Sequence, residues 1–282
     1  MYAILTKEKL TNRIVRMEIL APIVAKKCLP GQFIILRVNE KGERIPLTIA
    51  GYDRNKGTVA IIFDPVGKTT KLLSELNEGD SISDFVGPLG KASQIDGLKK
   101  VAIIGGGLGC AIAYPQAKAL FENGAKVDII AGFKSKEFVI LESEMKAASD
   151  RLFIMTDNGS YGEKGLVTNK LEELLVKGEK YDAVIAIGPL IMMKFVSLLT
   201  KKYNTKTIVS MNPIMIDGTG MCGGCRLTVG GEVKFACVDG PDFDGHQVDF
   251  DEVIRRSRIY SDQEQQAREE HICRMEGMTD GK

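Results

Sequence analysis

The sequence carries almost no net charge: 38 lysines and arginines stand against 37 aspartates and glutamates in 282 residues. A nucleic-acid binder concentrates basic side chains to offset phosphate charge, and without such an excess no nucleic-acid partner is expected. Apolar residues make up 44% of the chain, which is ordinary for a globular protein. No apolar run nears the length of a bilayer span, so no membrane segment is expected. The opening MYAILTKEKLTN lacks the charged-then-apolar order of an export signal. Histidine is scarce, at two residues, and no internal repeat or low-complexity tract is visible. Six cysteines in a chain of this length, with no export signal, point to reducing cytoplasm and not to a disulfide scaffold. The length leaves room for two domains, each with its own core.

Three of those cysteines form the most informative pattern in the chain. Asp217-Gly-Thr-Gly-Met-Cys222-Gly-Gly-Cys225 is followed by Cys237. The spacing is that of a plant-type [2Fe–2S] site, with an acid in place of the first thiolate. A two-iron cluster needs four anionic ligands, and glycines at 218, 220, 223 and 224 suit a loop wrapped closely around it. A structural zinc also uses Cys-x2-Cys, but usually with a second pair or a histidine pair, and here only His246 is near. A thioredoxin-like redox pair opens a helix after a strand, whereas these cysteines sit among glycines. Asp217 is read either as the fourth ligand or as a turn-forming acid. Cys28, Cys110 and Cys273 have no partners at ligand spacing and are expected to be plain thiols.

Residues 1–97 read as β structure. Apolar, β-branched runs at 14–20, 33–38, 45–52, 59–63 and 81–86 are separated by turn formers such as Pro30-Gly31 and Gly79-Asp80. Strands at this spacing predict a small antiparallel barrel, with a single helical patch over 70–76. From 98 to 210 strands alternate with helices. Strands are predicted at 101–104, 127–131, 152–156, 181–187 and 207–210, and helices at 113–123, 138–149, 168–177 and 191–201. That alternation implies a parallel, doubly wound sheet. Residues 211–282 hold the cysteine module and then a charged helical tail from about 251. The expected fold is thus an antiparallel β-barrel, an α/β domain and a small C-terminal iron–sulfur module.

Gly105, Gly106, Gly107 and Gly109 lie between the first strand and first helix of the α/β region. There, backbone N–H groups and the positive end of a helix dipole can hold a phosphate; the alternative is a tight packing turn. The string departs from a strict G-x-G-x-x-G, and Asp128 stands near the start of the second strand, not at its end. The residues therefore do not decide between NADH and NADPH. In the barrel, the Arg44 guanidinium suits a phosphate and Thr48 can bond a flavin ring. Gly67, Thr69 and Thr70 open the helical patch as a second phosphate cradle. Each of these, taken singly, also fits a surface residue or a helix cap.

Arg44-Ile-Pro46-Leu47-Thr48, the Gly67-Lys-Thr-Thr70 turn, the glycine string and the terminal cysteine loop together resemble the ferredoxin–NADP reductase superfamily. The layout is similar to the electron-transfer subunits of bacterial dihydroorotate dehydrogenase. The string from Ser210-Met-Asn-Pro-Ile-Met through Phe235-Ala-Cys-Val-Asp-Gly-Pro to Phe250 more closely resembles the small (alpha) subunits of NADH-dependent reduced ferredoxin:NADP+ oxidoreductase, the electron-bifurcating transhydrogenase also described as sulfide dehydrogenase. In that family an aspartate replaces one cluster cysteine, which favours Asp217 as a ligand beside Cys222, Cys225 and Cys237.

The resemblance implies FAD in the barrel, with Arg44, Pro46, Leu47 and Thr48 near the ring and Gly67, Thr69 and Thr70 near the pyrophosphate. It implies NAD(H) at the Gly105–Gly109 loop, with Asp157 and Gly188 also in contact. It also implies a large flavin and iron–sulfur partner subunit that binds NADP(H) and reaches ferredoxin through the complex. No residue is assigned as a general acid or base, because hydride exchange with a flavin depends on alignment. The alternatives are a dihydroorotate dehydrogenase subunit and a flavin/iron–sulfur redox sensor without turnover.

Overall fold

The computed structural model describes residues 1–266. Cys273 and the last part of the expected helical tail lie outside the described residues. The chain opens with β1 (Tyr2–Lys9), β2 (Val15–Leu20), α1 (Pro22–Lys27), β3 (Phe33–Arg37), β4 (Arg44–Asp53), β5 (Thr58–Phe63), α2 (Lys68–Glu75), β6 (Ser81–Ile82) and β7 (Asp84–Leu89). These strands form one antiparallel sheet in the order β6-β1-β2-β5-β4-β3-β7. Its edge strands β6 and β7 are consecutive in sequence, so the sheet curls into a nearly closed barrel. Met17, Ile19, Ile34, Leu36, Ile61 and Phe63 fill its interior.

Three sequence expectations change here. β1 was not foreseen, because Lys7, Glu8 and Lys9 dilute its alternation; Lys7 Nζ instead donates to Ser74 O and Leu76 O at the end of α2, each at 2.6 Å. The run at 81–86 is two strands, since Ser83 marks the point where the chain leaves β1 and joins β3. A second helix, α1, joins the one expected, started by Pro22 at its first position, where a missing N–H costs nothing.

The second unit comprises β8 (Lys100–Gly106), α3 (Gly109–Glu122), β9 (Lys126–Phe133), α4 (Glu142–Ala147), β10 (Arg151–Thr156), β11 (Glu163–Lys164), α5 (Val167–Val176), β12 (Ala183–Ile187), α6 (Leu190–Lys202) and β13 (Thr207–Ser210). The helix expected over 138–149 is confined to α4, because Leu141 adopts a left-handed backbone (φ 54°) that interrupts the turn. The sheet runs β11-β10-β9-β8-β12-β13 in parallel. It is doubly wound, and its order reverses between β8 and β12. Ligands of such sheets settle outside the carboxyl ends of the strands at that switch point.

The remaining elements are the hairpin β14 (Arg226–Val229) and β15 (Glu232–Phe235), then β16 (Asp242–Asp244) and α7 (Phe250–Arg256). β16 pairs antiparallel with β13 and so extends the α/β sheet. One apolar core is shared by Ile104 and Val184 of that sheet, Phe33 and Ile35 of the barrel, and Cys225, Leu227 and Cys237 of the C-terminal module. Among the described residues no helix is long and apolar enough to cross a membrane.

The amino ends of the sheet strands are tied by charge. Asp128, with its side chain 5% exposed, accepts from Arg151 Nε at 2.8 Å and Nη2 at 2.5 Å and from the Tyr181 hydroxyl at 2.7 Å. Glu179 bridges Arg151 to Lys100. Burial, reinforced by the bond to Asp128, holds the Tyr181 hydroxyl above the ordinary phenol range. Asp128→Ala strands a buried hydroxyl and removes a fork from a partly exposed guanidinium. It is expected to cost about 2–3 kcal/mol, read as a lower urea midpoint at unchanged slope. An unmoved midpoint would remove this network from the stability of the sheet.

Candidate functional site

Two clefts meet where the barrel faces the carboxyl ends of β8 and β12. The first, of about 510 Å³, has Gly106, Gly107, Leu108 and Gly109 on one side, Gly188 and Pro189 on another, and Thr48 and Phe33 of the barrel opposite. The second, of about 960 Å³, runs along Arg44 and Pro46 of β4 to Gly67, Thr69 and Thr70 at the start of α2. Pro46, Asn212, Pro213 and Met215 line both. The clefts are therefore adjoining parts of one groove.

The glycines at the switch point serve different ends. A Cβ on Gly109 would stand 2.2 Å from the Ile187 carbonyl oxygen, so only glycine lets α3 begin against the end of β12. This close approach explains why α3 starts at Gly109, ahead of the expected residue 113. Gly107 is left-handed (φ 55°), and a Cβ there would meet nothing within 4 Å. Its open side faces the groove. Gly105 sits under the loop, where a Cβ would stand 2.6 Å from Cys110 Sγ, and does not line the cleft. Cys110 itself is buried, and burial pushes its thiol up to about 12, which leaves it an inert packing group.

On β4 the alternation of a strand places Arg44, Pro46 and Thr48 along the groove. Leu47 belongs to the opposite face and packs on the barrel core. Among the described residues Arg44 forms no ion pair, and its guanidinium is exposed to the larger cleft. Thr69 is buried and donates to Glu43 Oε2 at 2.7 Å, while the Thr70 hydroxyl accepts from Gly67 N–H at 3.0 Å. Both threonine hydroxyls are thus committed internally, and what α2 offers the cleft is the first-turn backbone N–H groups, which have no partner within the helix. Asp157 is exposed beyond β10 and does not line either cleft. The wall formed by Asn212, Pro213 and Met215 was not singled out from the sequence as cleft-lining. Its signal was its position, directly after the last parallel strand, where such sheets bind ligands.

The segment that walls the groove continues into the cysteine loop. Asp217 accepts N–H bonds from Thr219 and Cys222, each at 2.9 Å. Those bonds, the one from Thr219 first, hold its carboxyl below the usual range. Cys225 and Cys237 are buried with sulfurs 3.2 Å apart, and Cys222 is exposed. Burial and the neighbouring thiol push Cys237 up to about 12. Gly218, Gly220 and Gly223 are all left-handed, which curls the loop over the barrel strands β3 and β7. Asp217 thus stands beside Cys222, and Cys225 beside Cys237. Among the described residues no three His, Cys, Asp or Glu side chains gather closely enough to hold a metal ion as they stand.

Barrel, switch-point glycines and paired ligand loop together define a two-cleft reductase with an attached iron–sulfur module. Residues 212–249 match the family described as the iron–sulfur cluster binding domain of dihydroorotate dehydrogenase B. The chain is 46% identical over 261 residues to the dihydroorotate dehydrogenase B (NAD(+)) electron transfer subunit homolog of Thermotoga maritima, covering 93% of this chain and 92% of that one. It is 32% identical over 255 residues to the corresponding electron transfer subunit of Geobacillus thermodenitrificans, covering 87% and 96%. A chain of the NADH-dependent reduced ferredoxin-NADP oxidoreductase, solved for insight into flavin-based electron bifurcation, superposes with a TM-score of 0.91 at 44% identity, covering 96% of this chain and 98% of that one. The chain belongs to the family of dihydroorotate dehydrogenase B electron-transfer subunits and their homologues.

The two glycines separate packing from binding. Gly109→Ala is expected to lose stability outright, because its Cβ meets backbone that cannot retreat. Gly107→Val carries a left-handed strain of about 1–2 kcal/mol but fills only the groove. That variant is expected to keep flavin and iron while its flavin is no longer reduced by NADH at the native rate in stopped flow. Native-rate reduction would make the loop a packing turn.

Proposed function

We propose that this chain is the electron-transfer subunit of a bifurcating ferredoxin:NADP+ transhydrogenase, an oxidoreductase that takes reducing equivalents from NADH and passes them singly to a larger flavin and iron–sulfur partner. The observation that carries this reading is continuity: Met215 lines both clefts, and Asp217, two residues on, opens the ligand loop. Two residues span at most about 7 Å, so groove and loop are neighbours by chain connectivity alone. Bound FAD supplies the exchange between a two-electron hydride and single electrons, and a [2Fe–2S] cluster supplies a one-electron carrier.

The residues of the chain bind and align. Arg44, which has no ion-pair partner among the described residues and is exposed to the larger cleft, meets flavin phosphate, assisted by the N–H groups that follow Gly67. Pro46 and Thr48 face the flavin ring where the clefts join. Gly106, Gly107 and Gly109 present the start of α3 to the nucleotide pyrophosphate, and Gly188 gives it a smooth opposite wall. Phe33 and Met215 keep water from the junction. Asp217, Cys222, Cys225 and Cys237 hold the cluster. Asp157 stands at the same edge of the sheet and is assigned a peripheral nucleotide contact. The proposed division is 1–97 for flavin, 98–210 for nucleotide and 211–282 for the cluster and tail.

The likeness to the bifurcating oxidoreductase chain supports a partner that carries NADP(H) and reaches ferredoxin. The dihydroorotate reading keeps the same internal chemistry and changes only that partner. A co-purifying large chain that turns over NADPH and not dihydroorotate distinguishes them.

Arg44→Ala is expected to lower FAD occupancy at unchanged iron content, since barrel and ligand loop are separate sites. Full occupancy with unchanged NADH oxidation would remove Arg44 from the flavin. Asp217→Cys should keep two irons per chain with altered visible and paramagnetic spectra, because a carboxylate and a thiolate carry equal charge but different covalency. Asp217→Ala should give a labile cluster by iron and sulfide analysis. Native spectra and stability in Asp217→Ala would place the fourth ligand elsewhere.

A further inference from the structure

Between Cys222 and Cys225 lie two glycines, and each of their carbonyls is held by an arginine. Arg226 Nη1 donates to Gly223 O at 3.1 Å. Arg256 Nη2, from the last turn of α7, donates to Gly224 O at 3.3 Å. A trans peptide carries its C=O and the following N–H on opposite edges of one plane. A guanidinium that draws the Gly223 carbonyl outward therefore turns the Gly224 N–H inward, and that N–H points at Cys222 Sγ, 3.5 Å away. By the same geometry the hold on Gly224 O sets the direction of the Cys225 N–H.

Local structure explains how Arg256 arrives there. Asp249 caps α7 by accepting the Glu252 N–H at 2.9 Å. Phe250 and Val253 bury one stripe of the helix in the shared core. Arg256 follows Val253 by three residues, on the same stripe one turn later, and so reaches the loop. Arg226, Arg256, Cys222 and Gly224 share a cleft of about 220 Å³. Among the described residues neither arginine is paired with a carboxylate; Asp251 and Glu252 of the same helix are engaged by Lys194 and by the Thr228 N–H. Among the described residues, two positive charges without a carboxylate partner thus stand beside Cys222.

We propose that Arg226 and Arg256 are positioning residues for the iron–sulfur site. They lock the Gly223-Gly224 backbone with its N–H groups toward the ligand sulfurs, and their charges favour the reduced, more negative form of the centre. Hydrogen bonds to the sulfurs and nearby charge are established levers on the potential of such centres. The inference rests on the reading that Asp217, Cys222, Cys225 and Cys237 carry a [2Fe–2S] cluster.

The test is a redox titration of the full-length, cluster-containing protein followed by low-temperature paramagnetic resonance, with iron and acid-labile sulfide measured on every sample. Arg256→Met is expected to retain two irons and shift the midpoint downward by about a tenfold change in the reduction equilibrium, which is 59 mV for one electron. Arg256→Lys keeps charge without the planar fork and should recover part of that shift. Arg226→Met should move the midpoint in the same direction. Iron lost from Arg256→Met but kept in Arg256→Lys also supports the assignment, since the charge then holds the loop. Native midpoints with full iron in both methionine variants would overturn it. Absence of iron from the unaltered protein would overturn the cluster reading itself.

Discussion

The structure depends on one close approach: the backbone of Gly109 against the carbonyl of Ile187, at the point where the order of the parallel sheet reverses. No side chain fits between them. That contact lets α3 start at the end of β8, beside the cleft that Gly107 and Leu108 line, and keeps β12 near enough for Gly188 to form the other wall. The smaller cleft is the space left when two strands diverge but their loops stay in contact. Everything the chain is proposed to do begins with a ligand placed there.

From that point the architecture works by sharing elements. Strand β4 contributes core residues on one face and groove residues on the other. The stretch 212–215 closes both clefts and then becomes the approach to Asp217. β16 returns to extend the sheet, and Lys91 N–H donates to Gly240 O while the Ser93 hydroxyl donates to Asp242 Oδ2 at 2.5 Å, tying the interdomain linker to the C-terminal module. The three functional regions are thus cross-braced, with barrel, sheet and ligand loop contributing to one core. A carrier of single electrons gains from such bracing, because little rearrangement then accompanies the arrival of charge.

Parts of the site were legible because their chemistry is local. Spacing singles out Asp217, Cys222, Cys225 and Cys237 as candidate ligands, since a cluster loop is built from neighbours in sequence. The glycine string between a strand and a helix is equally local. Leu47 was placed on the flavin because it lies inside a recognisable string, but strand alternation turns it to the barrel core. Gly105 was grouped with its neighbours, yet it packs on Cys110. The hydroxyls of Thr69 and Thr70 look like phosphate donors in sequence and are occupied by Glu43 and Gly67 in the fold. Asn212, Pro213 and Met215 carry no distinctive chemistry and matter only through where the chain passes.

The sequence by itself determined the order of the units, the alternation that makes one a barrel and another a parallel sheet, the spacing of the candidate ligands and the family resemblance. All of these rest on periodicity and spacing, which are properties of short stretches. Only the tertiary structure decided that the two clefts join, that among the described residues Arg44 has no acidic partner, that α7 returns Arg256 to the cysteine loop, and that Asp217 stands beside Cys222 and Cys225 beside Cys237. Those facts depend on contacts between residues far apart in the chain. Such contacts are set by how strands twist, where helices cross and which carbonyl lies beside which glycine, and no local pattern encodes them.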